Sequence, residues 1–142
     1  MRAHGMAGLA VAALILTGCS SAPEDTAAPD PNVKLTPVSG SADGLKQVTL
    51  SAIAVTRLGL QTQQIPRGTP EKIPFKAVIY DPNGKSWTYT SPAPRTFVRS
   101  AITIDRIDGD NAVLKAGPPV GTAVVTAGAP ELLGAEYGVG EE

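Results

Sequence analysis

Ile73-Pro74-Phe75-Lys76-Ala77-Val78-Ile79-Tyr80-Asp81-Pro82-Asn83-Gly84-Lys85-Ser86-Trp87-Thr88-Tyr89-Thr90 decides the reading of the fold. Two β-rich runs flank Asp81-Pro82-Asn83-Gly84, with Asp first, Pro second and Gly fourth. That order suits a type I turn with a glycine bulge, so the spacing predicts a hairpin of residues 73–80 with 86–90. Outward on the C-terminal side, residues 96–107 form a second run that reaches Asp108-Gly109-Asp110-Asn111, and 112–115 return. This predicts a second hairpin. Gly117-Pro118-Pro119-Val120-Gly121 makes a further turn before a strand over 122–127.

The flanks complete the pattern. Pro130 to Leu133 reads as one helical turn with Pro130 at its start and Gly134 at its end; 135–142 reads as a C-terminal tail, frayed after Glu136. Upstream, Val48-Thr49-Leu50 reads as a strand. Ser51 suits the N-cap of a brief helix over 52–58, with Gly59 as its stop. Residues 60–65 resume an extended run, and Pro66-Arg67-Gly68-Thr69-Pro70 breaks the chain. The fold expected over 45–134 is mainly β, a small antiparallel β-roll or barrel-like domain with one or two short helices. Its core should bring Val48, Leu50, Ile53, Leu58, Leu60 and Ile65 against Ile79, Ile102, Ile104, Val113 and Val124.

The N-terminus is of another kind. Residues 6–16 are eleven small or apolar residues after a positive Met1-Arg2 start. A transmembrane helix needs about 20, so the run has the length of a signal-peptide hydrophobic region. It ends in Leu16-Thr17-Gly18-Cys19, which resembles the lipobox of bacterial lipoproteins. The resemblance implies cleavage between Gly18 and Cys19, acylation of Cys19, and anchoring in the membrane by two or more acyl chains. Residues 1–18 are thus expected to be a signal peptide. Residues 19–44, rich in Pro, Ser, Ala and Asp, are expected to be a flexible tether.

Composition narrows the function. With Arg2 removed, eleven Lys and Arg face thirteen Asp and Glu, a net charge of −2 that gives no footprint for nucleic acid. Cys19 is the single cysteine, and His4, the single histidine, leaves with the signal. The mature chain then has no disulfide, no Cys/His zinc site and no imidazole for acid–base catalysis. Neither Gly-x-Ser-x-Gly, Ser-x-x-Lys nor a phosphate-cradling glycine loop is present. An enzyme is not expected, nor a cofactor.

Three groups of side chains remain as candidates. Asp105, Asp108 and Asp110 offer carboxylates to a hard cation, but their spacing is not that of a calcium loop, and a tight turn demands the same residues. The turn reading is preferred and no metal is expected. Trp87 and Tyr89 share one face of a strand and supply either an aromatic floor for a ligand or, in a domain this poor in aromatics, the core. Core is the expectation. Arg95, Arg99 and Arg106 read as scattered solvated charges, with an acidic partner as the alternative.

The order of motifs resembles the membrane-proximal portions of periplasmic adaptor proteins, also called membrane fusion proteins, of efflux pumps. The resemblance is carried by the 73–80 strand, Trp87-Thr88-Tyr89, Phe97-Val98-Arg99, and Ile102-Thr103-Ile104-Asp105 in place of a Val-x-Val-Gly. It continues through Gly109-Asp110, Gly117 to Gly121, Val124-Val125 and Gly128-Ala129-Pro130-Glu131-Leu132-Leu133. Residues 48–62 look like the strand, short helix and Gly-apolar-x-Thr strand near the start of some adaptors. Pro118 stands where the family usually has Leu. In full adaptors the two segments are separated by a β-barrel, a lipoyl-like domain and usually a helical hairpin; here only residues 66–72 lie between them.

The resemblance implies a membrane-proximal domain alone on a lipid anchor. The function expected is a non-enzymatic, extracytoplasmic accessory protein, held to membrane lipid through acylated Cys19 and docking on a membrane transporter subunit. The alternative is a lipoprotein module that binds a small ligand or metal ion.

Overall fold

A computed structural model of the protein describes residues 31–68 and 71–139. The expected signal peptide, with Gly18, the expected acylation site Cys19 and residues 20–30 of the expected tether, lies outside the described residues. In chain order the strands are β1 (Val33–Pro37), β2 (Lys46–Leu50), β3 (Gln61–Gln64), β4 (Lys72–Pro74), β5 (Ile79–Tyr80), β6 (Ser86–Ala93), β7 (Thr96–Ala101), β8 (Thr103–Asp108), β9 (Asn111–Ala116) and β10 (Ala123–Ala127). Helix α1 is Ala52–Arg57, α2 is Ala129–Tyr137, and a 3-10 turn covers Phe75–Ala77. The larger sheet runs β1-β2-β7-β6-β10-β3, with β5 added on β6; the smaller runs β4-β9-β8. The fold is mainly antiparallel β with two short helices, as the sequence predicts. Its sheets are open, and no closed barrel forms among the described residues.

Both expected hairpin turns form. Gly84 N donates to Asp81 O at 2.9 Å, and Gly84 takes φ 78. Asp81 Oδ1 accepts from the amides of Asn83 and Lys85, each at 2.9 Å, so the first side chain of the turn ties down the rest. The β8–β9 hairpin closes at Asp108↔Asn111 around Gly109. Ser51 caps α1, its Oγ accepting from Ala54 N at 3.1 Å.

Five expectations are corrected. The tether boundary falls earlier than residue 44: Val33 and Leu35 alternate inward opposite Leu50 and Val48, so β1 joins the sheet. Residues 73–80 are not one strand. Pro74 cannot extend a ladder as donor, the chain turns through Phe75–Ala77, and its two ends serve different sheets. Residues 96–107 divide likewise at buried Ile102, whose amide donates to Ser86 O at 3.1 Å. The last helix does not stop at Gly134 but continues to Tyr137 and ends on Gly138 with φ 72. Ile53, expected in the core, is 60 % exposed on the outer face of α1.

The layers follow from strand periodicity. On one face of the larger sheet, Val48, Leu50, Trp87, Tyr89, Phe97 and Val125 pack with Ala54 of α1 and Leu132 of α2. On the other face, Val124 packs with Ile65, Ile73, Ala77, Ile102 and Leu114 against the smaller sheet. Adjacent Val124 and Val125 thus serve opposite cores. The β2–β7 and β10–β3 pairings place residues from 46–64 in one sheet with residues from 86–127. Each large side chain buried there contributes roughly 1.5–3 kcal/mol.

The seam between α1, β3 and α2 closes on Gly128. This residue has φ 80, and a Cβ there would lie 2.2 Å from Leu60 Cδ2 and 2.9 Å from the Leu58 carbonyl oxygen. A methyl group therefore meets backbone as well as side chain in a left-handed conformation. Gly128→Ala is expected to lower unfolding free energy by about 2 kcal/mol or more, read from the midpoint of a urea titration.

Candidate functional site

On β6 and β7, Tyr89 pairs directly with Arg99, so their side chains stand together on the helical face of the sheet. In α2, Leu132 and Glu136 are one helical turn apart and both point inward. Leu132 enters the apolar core; Glu136 arrives over Tyr89 and Arg99. Its Oε2 accepts from Tyr89 Oη at 2.6 Å and from Arg99 Nε at 2.7 Å. Its Oε1 accepts from Arg99 Nη2 at 2.9 Å and from Lys46 N at 3.2 Å. The side chains of Arg99 and Glu136 are only 4 % and 2 % exposed. Four donors fill the acceptor sites of the carboxylate, and the two-pronged arginine contact fixes its plane.

Aromatic rings enclose the cation. The Arg99 guanidinium carbon lies 4.9 Å from the Trp87 ring centroid and 5.3 Å from that of Tyr137. Trp87 Nε1 in turn donates to Asp81 Oδ2 at 3.1 Å, and Lys85 Nζ lies 4.6 Å from the Trp87 centroid. One connected network therefore runs from the β5–β6 turn to the C-terminal helix.

The electrostatics follow from this enclosure. Burial pushes the Tyr89 phenol above its ordinary value, and the hydrogen bond to Glu136 and that residue's charge push it further. Burial works against the Arg99 charge, yet the hydrogen bond and charge of Glu136 outweigh it and hold the guanidinium more firmly protonated. For Asp81, desolvation is outweighed by the combined bonds from Lys85 N, Trp87 Nε1 and Asn83 N, together with the Arg99 charge, and its carboxyl is held below the usual value. The centre of the network, Tyr89, Arg99 and Glu136, is enclosed. Its chemistry is to lock α2 onto the sheet.

The candidates named from sequence fall into place around it. Trp87 and Tyr89 are buried core residues, not a ligand floor. Asp105 pairs with Arg106 at 2.8 Å, whereas Asp108 pairs with Lys72 at 2.7 Å, which holds its carboxyl below the ordinary value. Asp110 sits in the turn, its carbonyl accepting from Phe75 N. The three carboxylates do not converge, and no His, Cys, Asp and Glu group able to hold a metal forms among the described residues. Arg95 and Arg106 are exposed. Arg99 is not a solvated charge: it shares the inward parity of Phe97 on β7. That parity was the available signal that a buried carboxylate must exist, and Glu136 is the residue the sequence reading missed.

Two surface features flank the network. Tyr80, Pro82, Leu133, Tyr137 and Val139 line an open apolar groove beside α2, with Tyr80 52 % and Tyr137 49 % exposed. A narrower groove lies between α1, β3 and the β6–β7 hairpin. No helix among the described residues is long and apolar enough to cross a membrane. No family model, curated protein or solved structure matches this chain.

Two outcomes follow from the network. Glu136→Ala strands the Arg99 charge in the core and is expected to cost about 3–5 kcal/mol in denaturant unfolding, while Glu136→Leu with Arg99→Met recovers most of that loss. Tyr89 has a raised folded pKa, so its contribution is present in full below the ordinary phenol value of 10.0 and is lost as pH rises above it. Stability of the wild type should therefore fall above that pH by up to about 1.4 kcal/mol per unit from this one proton. Tyr89→Phe should remove that component of the slope, measured by urea unfolding at stepped alkaline pH.

Proposed function

We infer that this chain is a lipid-anchored, non-enzymatic accessory domain that docks on the extracytoplasmic face of a membrane transporter. The lipobox-like Leu16-Thr17-Gly18-Cys19 after a short apolar run supports the anchor. The observation that carries the rest is the pairing of β2 with β7 and of β3 with β10. The resemblance to efflux-pump adaptors requires residues 45–65 and 73–134 to join as one membrane-proximal unit, and these pairings support that union. Exposed Tyr80 and Tyr137 beside Leu133 and Val139 add the kind of apolar, tyrosine-bearing surface that protein partners bury.

Lipid attachment and docking are tested in one host. Fatty-acid analogue labelling should mark the wild type, and Cys19→Ser should remain an unlabelled, uncleaved precursor. Mild crosslinking of the wild type in intact cells, followed by affinity purification, should recover a transporter subunit. Recovery of the anchored protein alone, under conditions that capture other membrane complexes, would refute docking.

A further inference from the structure

The β6–β7 hairpin closes through Pro94 and Arg95, between paired Ala93 and Thr96. Arg95 has φ 58 and is the one non-glycine residue with a left-handed backbone among the described residues. After a proline, the third position of such a turn favours glycine or asparagine, because a Cβ crowds the following carbonyl. Nothing among the described residues uses the side chain that incurs this cost. The guanidinium has no hydrogen-bond or ion-pair partner among the described residues. Its backbone is nevertheless fixed, with the Arg95 carbonyl accepting from Leu50 N at 2.9 Å.

That fixed backbone holds Arg95 beside the narrower groove, which is also lined by Val55, Leu60, Thr62, Ser91 and Phe97. No carboxylate among the described residues lines it. We propose that this groove is a docking surface for an extended protein segment carrying an aspartate or glutamate next to an apolar side chain. The proposal rests on the docking reading above and names the surface and the chemistry of the partner. An unpaired guanidinium is the complement of a carboxylate, which it binds through two parallel N–H donors. Val55, Leu60 and Phe97 supply apolar surface for the neighbouring side chain. The groove holds about 230 Å³, below the roughly 300 Å³ at which drug-sized pockets begin, and fits one or two side chains.

The test uses the full chain in detergent and fluorescent hexapeptides with a central Glu flanked by Leu and Val, against the same peptides with Gln. Binding is read by fluorescence anisotropy and by amide shifts at Val55, Leu60, Thr62 and Ser91. The Glu peptides should bind at this groove, roughly tenfold or more tighter than the Gln peptides, and weaken with salt. Arg95→Gly should abolish the preference for Glu while unfolding at no lower denaturant concentration than the wild type. Arg95→Lys should retain part of it. Equal binding of Glu and Gln peptides, shifts elsewhere only, or undiminished binding by Arg95→Gly would overturn the proposal. So would displacement of the groove amides by Asp25→Asn with Asp30→Asn in the absence of peptide, which would make the chain's own acidic leader the occupant. Groove binding without any transporter recovered by crosslinking defeats the docking reading and leaves the groove chemistry standing; recovery of a transporter unaffected by Arg95→Gly does the reverse.

Discussion

The position of the C-terminal helix depends on one buried ion pair. Helix α2 has few apolar side chains to seat it: Ala129 and Leu132 enter the core, and Leu133 is only partly covered. Such a contact alone leaves a helix free to slide or rotate at little cost. Glu136 removes that freedom, because its carboxylate is satisfied only where Tyr89 Oη, both Arg99 donors and Lys46 N converge. Hydrophobic replacements of similar volume often match or exceed the stability of a buried pair, so the network is better understood as fixing geometry than as adding stability. The aromatic rings follow: Trp87 and Tyr137 lie on the guanidinium, and Asp81 orients Trp87.

How far the sequence discloses this depends on range. Local signals are legible because neighbouring residues generate them. Asp81 and Gly84 make their turn by themselves, Ser51 caps α1 three residues on, and the spacing of Trp87 and Tyr89 puts both aromatic rings on one face. What was not legible depends on distant partners. Residues 73–80 and 96–107 read as unbroken strands because, Pro74 apart, only distant partners decide that a second sheet claims part of each. Val33 and Leu35 looked like tether because only β2, across a turn, gives them a surface to cover. Ile53 looked like core because a six-residue helix buries so narrow a stripe that Ala54 alone is enclosed.

The candidate site shows the same division more sharply. Arg99 and Glu136 are separated by 37 residues, and neither carries a local sign of the other. Arg99 follows Phe97 at strand spacing, which places a charge on the buried face; the identity of its counterion needs the whole topology. The aspartates show the opposite case. Proximity in sequence makes Asp105, Asp108 and Asp110 look like a cluster, while Asp105 pairs with its neighbour Arg106, and Asp108, with β4 and β8 on either side of β9, pairs with Lys72.

The entry of the chain into the fold has a mechanical meaning. Asn32 accepts from Ser51 N through its backbone carbonyl at 2.9 Å, and its side chain meets the same residue's hydroxyl, also at 2.9 Å. Ser51 is the cap of α1, and β1 begins at the next residue after Asn32. Tension on the chain ahead of residue 31 is therefore delivered first to a helix cap and then to the edge ladder of β1 on β2. A pull along β1 loads that short ladder in shear, whereas a pull across it opens the bonds one after another from Val33. The same five-residue strand thus resists strongly in one direction and yields in the other, making the first element of the fold a direction-dependent mechanical link.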